Sequence, residues 1–175
     1  MLARNKIDAG LKFKDEANQL VAQKEYKKAC RLYRRVFGCV NGILAKDKAE
    51  MAQFSSAKET ATEVETKEAS QLVTAVYSNL ALCYIKLSDF ESAMDCAGRA
   101  IQLDPNNVKA LVRLGTASTQ LKKFDRAKEA LQKALALEPE NQAIKKELAM
   151  WKEAYGKWNS EQNEKAKHAF GGKLL

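Results

Sequence analysis

Proline, glycine and long apolar runs are all scarce in this sequence. Two prolines and eight glycines among 175 residues favour long helices with few sharp turns, because these two residues interrupt helices. No apolar stretch is long enough to span a bilayer, so we expect no membrane span. The first residues, "MLARNKIDAG", lack an apolar segment of the kind that directs secretion, so we expect no secretory signal.

Motifs that carry catalysis or bind metals are also missing. The one histidine, His168, lies in a charged tail, and no glycine-rich phosphate loop, nucleophile elbow or metal-ligand spacing is present. The cysteines form no CxxC pair and lie within helical patterns, which favours a reduced intracellular chain in which they serve as small buried residues. They are Cys30, Cys39, Cys83 and Cys96. We therefore expect no enzyme activity, no cofactor and no metal.

The composition is that of a globular protein with a basic balance. Apolar residues make up 46% of the chain and charged residues 30%, and the length fits one domain. The net charge of +8 is compatible with nucleic acid, with an anionic membrane surface, or with a groove that receives an acidic peptide. Charge alone does not choose among these partners.

An internal repeat is the most informative feature of the sequence. The segment "NLALCYIKLSDFESAMDCAGRAIQLDP" (79–105) aligns with "RLGTASTQLKKFDRAKEALQKALALEP" (113–139), and each matching pair lies 34 residues apart. Apolar residues recur at helical spacing, and a proline closes each segment because proline cannot continue a helix. Small residues occupy the positions where paired helices must approach closely: Ala81, Ala93, Ala100, Ala127 and Ala134. The period is that of the tetratricopeptide repeat (TPR), a helix–turn–helix unit.

A third, more diverged copy lies upstream, in "FKDEANQLVAQKEYKKACRLYRRVF" (13–37). It keeps step with the second repeat at an offset of 64 residues, so an insertion of about thirty residues separates the two repeats. The centre of the insertion, around Ser55 to Thr62, is polar and is expected to be weakly ordered. Its flanks are expected to lengthen the neighbouring helices, because apolar residues keep near-helical spacing there: Val64, Leu72, Val73, Val76 and Leu80.

These patterns predict an all-α fold. We expect a right-handed superhelix of three TPR helix–turn–helix repeats, with the first helix of each pair lining a concave groove, plus a C-terminal capping helix. The apolar stripe of the cap is Ile144, Leu148, Trp151, Tyr155 and Trp158. The predicted boundaries are a TPR domain at 1–158 and a charged C-terminal extension at 159–175, with "FGGKLL" frayed. Within the domain we expect repeat one at about 8–40, the insertion at about 41–70, repeat two at about 71–105, repeat three at about 106–139 and the capping helix at about 140–158.

Polar residues on the three groove helices resemble those of the carboxylate-clamp TPR domains of co-chaperones. In that family the first repeat supplies a lysine and, four residues later, an asparagine. The second supplies an asparagine before Leu-Ala, and the third a lysine and, four residues later, an arginine. The matching residues here are Lys14, Asn18, Asn79, Lys109 and Arg113. Residues four apart share one helix face, and amide donors beside cations suit the capture of a carboxylate pair.

The resemblance implies a non-enzymatic, co-chaperone-like module in the cytoplasm, with the nucleus as a second location. Its groove would bind the tail Glu-Glu-Val-Asp of a heat-shock protein 90 or 70 class chaperone, and a client protein is a further possible partner. By the same resemblance, Lys14, Asn18 and Asn79 hold the terminal carboxylate. Lys109 meets the last aspartate side chain, and Arg113 meets groups just upstream.

Three positions depart from the family pattern beside the clamp. Ala17 replaces the usual glycine, Leu20 an aromatic residue, and Val112 a tyrosine. These changes alter the packing and the apolar pocket, and so bear on the choice of chaperone tail. The insertion and the ending "NEKAKHAFGG" resemble the repeat domains of immunophilins and of the tetratricopeptide repeat protein nine group. The chain is therefore either free-standing or part of a longer protein.

Other functions remain as alternatives. A lone cation pair on a helix is usually solvated surface, so the chain is alternatively a TPR scaffold, or a basic helical-repeat protein that binds another peptide or RNA with the clamp residues unused. The densest basic segment, "KKACRLYRR", is expected on the outer face of repeat one. A basic last helix is compatible with calmodulin or anionic lipid, although Trp151 and Trp158 fit capping of the core better.

Overall fold

The described chain consists of antiparallel helices. In the computed structural model, which describes residues 2–44 and 61–171 with side chains to His168, there are seven α-helices and no strand. They are α1 (Leu2–Ala22), α2 (Tyr26–Leu44), α3 (Glu63–Lys86), α4 (Phe90–Leu103), α5 (Val108–Gln120), α6 (Phe124–Leu137) and α7 (Gln142–Gly171). The helices form three successive pairs, and α7 packs against α5 and α6. The predicted all-α right-handed superhelix with a capping helix is confirmed. Within these ranges no helix has the length and apolar character that crossing a membrane requires.

The same tight turn joins the two helices of every pair. Its central residue has a left-handed backbone, with φ of 63° at Lys24, 59° at Ser88 and 58° at Lys122. The amide after this residue donates to a carbonyl five residues back, as from Asp89 N to Tyr84 O at 2.9 Å, which closes the end of the first helix. The three turns are spaced by 64 and 34 residues. The backbone therefore repeats in the register that the side chains predict.

Small residues allow the helices to approach closely. The five alanines expected at close contacts are all fully buried: Ala81, Ala93, Ala100, Ala127 and Ala134. At Gly115 an added Cβ would lie only 2.5 Å from Leu131 Cγ, so α5 and α6 touch there because glycine has no side chain. Through such contacts α3 lies between α1 and α5, which aligns the first helices of the three pairs side by side.

The capping helix α7 covers the end of the stack with an aromatic cluster. Ile144 and Trp151 are buried, and the Trp151 indole Nε1 donates to the carbonyl oxygen of Phe124 at 3.0 Å. Tyr155 stacks on Trp151 with ring centroids 5.5 Å apart, although 38% of it is exposed. The helix continues past residue 158 to Gly171, so much of the expected C-terminal extension is helical. Of the tail expected to fray, residues 172–175 lie outside the described part of the chain.

The flanks of the insertion lengthen the helices on either side, as predicted. Helix α2 runs to Leu44 and α3 begins at Glu63. Thr62 caps α3, because its Oγ1 accepts from the Glu65 amide at 3.2 Å while the Glu65 carboxylate accepts from the Thr62 amide at 2.8 Å. Thr62 was expected in the weakly ordered centre of the insertion; the remainder of that centre, up to residue 60, lies outside the described residues. Val64 lies in α3, as its spacing predicts, although 67% of it is exposed.

The four cysteines act as packing residues to different degrees. Cys30 and Cys83 are buried, Cys39 and Cys96 are partly buried, and all four are free thiols. Burial raises the pKa of the Cys96 thiol to about 11. The expectation of small buried residues therefore holds fully for two of the four.

Candidate functional site

A polar cluster joins the three first helices on one face of the stack. Asn79 of α3 donates from Nδ2 to Asn18 Oδ1 of α1 at 3.1 Å. Arg113 of α5 donates from Nη1 to Asn79 Oδ1 at 3.5 Å. Three of the five residues predicted from the sequence are thus brought together from helices far apart in the chain. We call Asn18, Asn79 and Arg113, with their supports Tyr33 and Ser78, the amide cluster.

Tyr33 fixes the orientation of Asn18. Its hydroxyl, on the second helix of the first pair, donates to Asn18 Oδ1 at 2.6 Å, and the residue is 1% exposed. Burial raises the pKa of Tyr33 to about 12, so the phenol remains a neutral donor at physiological pH. Asn18 Oδ1 then accepts two hydrogen bonds, from Tyr33 and Asn79, which occupies both of its lone pairs. The side-chain N–H groups of Asn18 make no hydrogen bond among the described residues.

Arg113 is a half-buried cation without a counter-ion. Its Nη1 donates to two neutral oxygens, Ser78 Oγ and Asn79 Oδ1. Burial lowers the pKa of Arg113, but a guanidinium stays protonated in proteins. No carboxylate in the described ranges forms an ion pair with it. Because a charge removed from water is costly unless it is paired, the amide cluster is short of one negative group.

The two predicted lysines lie one helical turn from the amide cluster. Lys14 precedes Asn18 on α1, its side chain is 25% exposed, and its ion pair is a loose one with the exposed Asp15 at 3.6 Å. Lys109 precedes Arg113 on α5 and is exposed. Neither lysine makes a hydrogen bond to the cluster among the described residues. Both share a helix face with a cluster residue, so they add positive potential beside it.

The start of α5 is fixed by its own capping residue. Asn107 Oδ1 accepts from the Ala110 amide at 3.0 Å, and Asp104 Oδ1 accepts from the Asn106 amide at 3.1 Å. This places Lys109 in the first turn of the helix, where the backbone amides already carry partial positive charge. The position of Lys109 therefore follows from local sequence, whereas that of Arg113 depends on packing against α3.

Sequence reasoning missed the two supports of the amide cluster. Tyr33 aligns with Ala97 of the next repeat, and a large polar residue where the sister repeat has a small one was a usable signal. Ser78 is 3% exposed and precedes Asn79, but nothing in its local pattern distinguishes it from a packing residue. Only the structure pairs it with Arg113.

Comparison with known proteins identifies the central part of this architecture. The family model of the tetratricopeptide repeat matches residues 74–107 and 108–141. These residues are two tetratricopeptide repeats. Helices α3 to α6 supply both repeats, and TPRs stack to form extended concave surfaces that bind other proteins. In this register Asn79 and Arg113 occupy the same position of their repeats, 34 residues apart.

Solved structures extend the TPR fold to the rest of the chain. The C-terminal TPR-containing domain of a Plasmodium falciparum FK506-binding protein superposes with a TM-score of 0.73 at 24% identity, covering 92% of this chain and 95% of that one. The second TPR domain of human RPAP3, solved in complex with the HSP70 peptide SGPTIEEVD, superposes with a TM-score of 0.61 at 25% identity. It covers 86% of this chain and 98% of that domain. The pair α1–α2 thus belongs to a TPR fold.

Among curated proteins, the human peptidyl-prolyl cis-trans isomerase FKBP4 is 40% identical over 86 residues, which are 49% of this chain and 19% of FKBP4. The chain spans less than a third of the length of curated relatives such as FKBP4. The similarity to FKBP4 therefore concerns a limited segment of each protein.

Proposed function

We propose that this chain is a non-enzymatic, co-chaperone-like interaction module that captures an acidic peptide by its free C-terminus. The ligand is the Glu-Glu-Val-Asp tail of a chaperone of the heat-shock protein 90 or 70 class, which places its action in the cytoplasm. The binding residues are Lys14, Asn18, Asn79, Lys109 and Arg113. The α1–α2 pair serves as repeat one of the three TPRs, and α7 serves as the cap.

The unpaired charge of Arg113 carries this proposal. A half-buried guanidinium whose partners are a serine and an amide oxygen is stabilised most by an anion that completes its hydrogen bonds. Guanidinium–carboxylate hydrogen bonds are among the strongest in proteins because both groups are charged. A ligand carboxylate supplies the negative group that the amide cluster lacks.

The orientation of the amides suits a carboxylate rather than a cation or a neutral donor. Asn18 and Asn79 both direct their oxygens toward protein donors, so each has an N–H to offer to the groove. A terminal carboxylate has two oxygens that accept such bonds, and Lys14 stands one turn away to balance its charge. Lys109 is placed to meet a second carboxylate, that of the last aspartate side chain.

Comparison with RPAP3 supports the choice of ligand. The RPAP3 domain shares the fold at 25% identity and holds a peptide that ends in the same four residues, Glu-Glu-Val-Asp. Together with the five matching residue types, this favours a chaperone tail over RNA or an internal peptide motif as the ligand.

A titration with two forms of one peptide tests the proposal. We expect a labelled Glu-Glu-Val-Asp peptide to bind as the free acid and its C-terminal amide to bind at least about tenfold more weakly, since the amide removes one charged acceptor. Lys109→Glu and Arg113→Glu should each abolish binding while the helical circular dichroism is retained. Lys133→Glu, an equal charge change at an exposed site of α6, is the matched control. Equal binding of acid and amide would mean that the chain is a TPR scaffold for another ligand.

A further inference from the structure

A second groove lies on the side of α3 that faces away from the amide cluster. Tyr77 and Tyr84 lie two turns apart on one face of α3, and Tyr77 is two residues from Asn79, so it projects to the opposite side of the helix. Together with α2 and α4 these tyrosines line a cavity of about 380 Å³, whose wall includes Arg34, Asp95 and Arg99. A neighbouring depression of about 620 Å³ shares Tyr77, Asp95 and Arg99 and extends to Arg126 of α6. We call this continuous feature the outer groove.

Two of the three arginines of the outer groove are held by phenols instead of carboxylates. Arg34 donates to the Tyr84 hydroxyl, and Arg99 donates to the Tyr77 hydroxyl at 3.4 Å with its guanidinium 5.8 Å from the Tyr77 ring centre. Arg126 lies beside Gly98, where an added Cβ would be 3.8 Å from Nη2. None of the three forms an ion pair with a described carboxylate, and Asp95 is the one acidic residue of the lining.

We propose that the outer groove binds an acidic segment of a partner protein, in which acidic side chains alternate with apolar ones. Three guanidiniums with unused donors offer bidentate sites for carboxylates, and the phenol contacts that hold Arg34 and Arg99 in advance reduce the entropy lost on binding. Apolar side chains also line the groove, among them Leu103, which is 44% exposed, and the partly buried Phe37, and these meet the alternating apolar side chains. The ligand is recognised by its side chains, so this site is independent of the capture of a C-terminus on the concave face.

The aromatic residues of the groove argue against single-stranded nucleic acid as the occupant. Binding of unpaired bases relies on aromatic faces that are open for stacking. The Tyr77 ring instead packs against Phe37, with centroids 4.6 Å apart, and the Arg99 guanidinium lies toward its ring. Both contacts occupy the ring, so the groove offers mainly guanidinium donors beside a few apolar side chains, which fits an acidic peptide.

The test uses the full chain and a labelled decapeptide of alternating glutamate and leucine, acetylated and amidated so that it has no free carboxyl end. We expect binding at about 0.15 M ionic strength, and a loss of at least about tenfold in affinity in the triple variant R34Q/R99Q/R126Q. The matched control K146Q/K152Q/K165Q removes the same charge from exposed lysines of α7 and should change the affinity by less than about twofold.

Three outcomes would overturn the proposal: no binding by the wild-type chain, equal weakening by the two triple variants, or displacement of the peptide by oligothymidine. Helical circular dichroism of R34Q/R99Q/R126Q checks that this variant is folded. Arg113→Glu should leave decapeptide binding unchanged and R34Q/R99Q/R126Q should leave capture of the Glu-Glu-Val-Asp free acid unchanged. Failure of one site is therefore distinguishable from failure of the other.

Discussion

The amide cluster and the aromatic cap of α7 differ in whether their polar groups are paired within the chain. In the cap, the indole N–H of Trp151 has a carbonyl partner, and the rings of Phe124, Tyr155 and Trp158 pack around it. In the amide cluster, Arg113 is half-buried beside neutral oxygens and no described carboxylate pairs with it. The polar group of the cap is paired within the chain, whereas the charge of Arg113 in the cluster is not. On the proposed function an anionic ligand pairs with that charge, so stability and binding would belong to different parts of the molecule.

The cap should therefore govern stability and leave binding unchanged. We expect Trp151→Ala to lower the free energy of unfolding by about 3–5 kcal/mol, because it opens a cavity and leaves the Phe124 carbonyl without its donor. Met150→Ala, at a neighbouring residue that is 47% exposed, should cost less than about 1 kcal/mol. Chemical denaturation measures both. Under folding conditions, the peptide affinity of Trp151→Ala should stay within about twofold of wild type. A large loss of affinity would show that the cap also contributes to binding.

Asn79 should show the reverse pattern, because it links all three helices of the cluster. Asn79→Ala removes the donor to Asn18 and the acceptor for Arg113, together with a proposed ligand contact. We expect a loss of about 10- to 100-fold in affinity for the free-acid peptide, measured by fluorescence anisotropy, with a change of only about 1 kcal/mol in stability. The control Asn163→Ala lies on the exposed part of α7. If Asn79→Ala lowers the free energy of unfolding more than Trp151→Ala does, stability and binding are not separated between the two regions.

Tyr33 shares one property with each region: it is buried, like the residues of the cap, and its hydroxyl supports the amide cluster. Tyr33→Phe keeps the ring and removes the donor to Asn18, so we expect an affinity loss of about three- to tenfold and a stability loss of about 1 kcal/mol. Its folded pKa of about 12 exceeds the unfolded value of about 10. The stability due to this shift is present below the unfolded pKa and is lost as pH rises from about 10 to about 12.

Tyr33→Phe should therefore lose less stability than wild type over that interval, which alkaline denaturation measures. Tyr26→Phe is the control, because the structure describes no hydrogen bond from that hydroxyl. Retention of full affinity by Tyr33→Phe would show that Asn18 does not need this support.

The turns between paired helices should give the smallest effect, and a favourable one. Ser88 has a φ of 59°, which glycine adopts without the steric cost of a side chain. Ser88→Gly should raise the free energy of unfolding by up to about 1 kcal/mol, and Lys122→Gly should do the same. Ser70→Gly, within α3, should lower it by about as much. Thermal unfolding of the three variants measures these changes in stability. Neither turn variant should alter peptide affinity.

Much of the fold and part of the site followed from sequence because they are periodic. The 34-residue register located the helices and the small residues at their contacts, and the resemblance to carboxylate-clamp TPR domains then supplied the five candidate positions. The left-handed turns were not foreseen, since Ser88 and Lys122 stand where a glycine would have been the local signal. The role of Tyr33 depends on a contact across 15 residues and that of Ser78 on one across 35. Such contacts arise from packing between helices; the alignment of Tyr33 with the small Ala97 was the one usable signal, and no local pattern marks Ser78. Val64 had the right spacing but is exposed, because the spacing cannot tell whether a neighbour covers that turn.

The central claim is that the chain holds the unpaired Arg113 in place for an anionic ligand. Thermal unfolding of wild type and Arg113→Met, each with and without saturating free-acid Glu-Glu-Val-Asp peptide, tests it most directly. Without peptide, Arg113→Met should unfold at the same or a higher temperature, since replacing a buried charge by an apolar side chain is often neutral or stabilising. With peptide, only the wild type should be stabilised and should overtake the variant, because ligand binding adds to the stability of the folded state. A variant that is much less stable without peptide, or equal stabilisation of both proteins by the peptide, would contradict the claim.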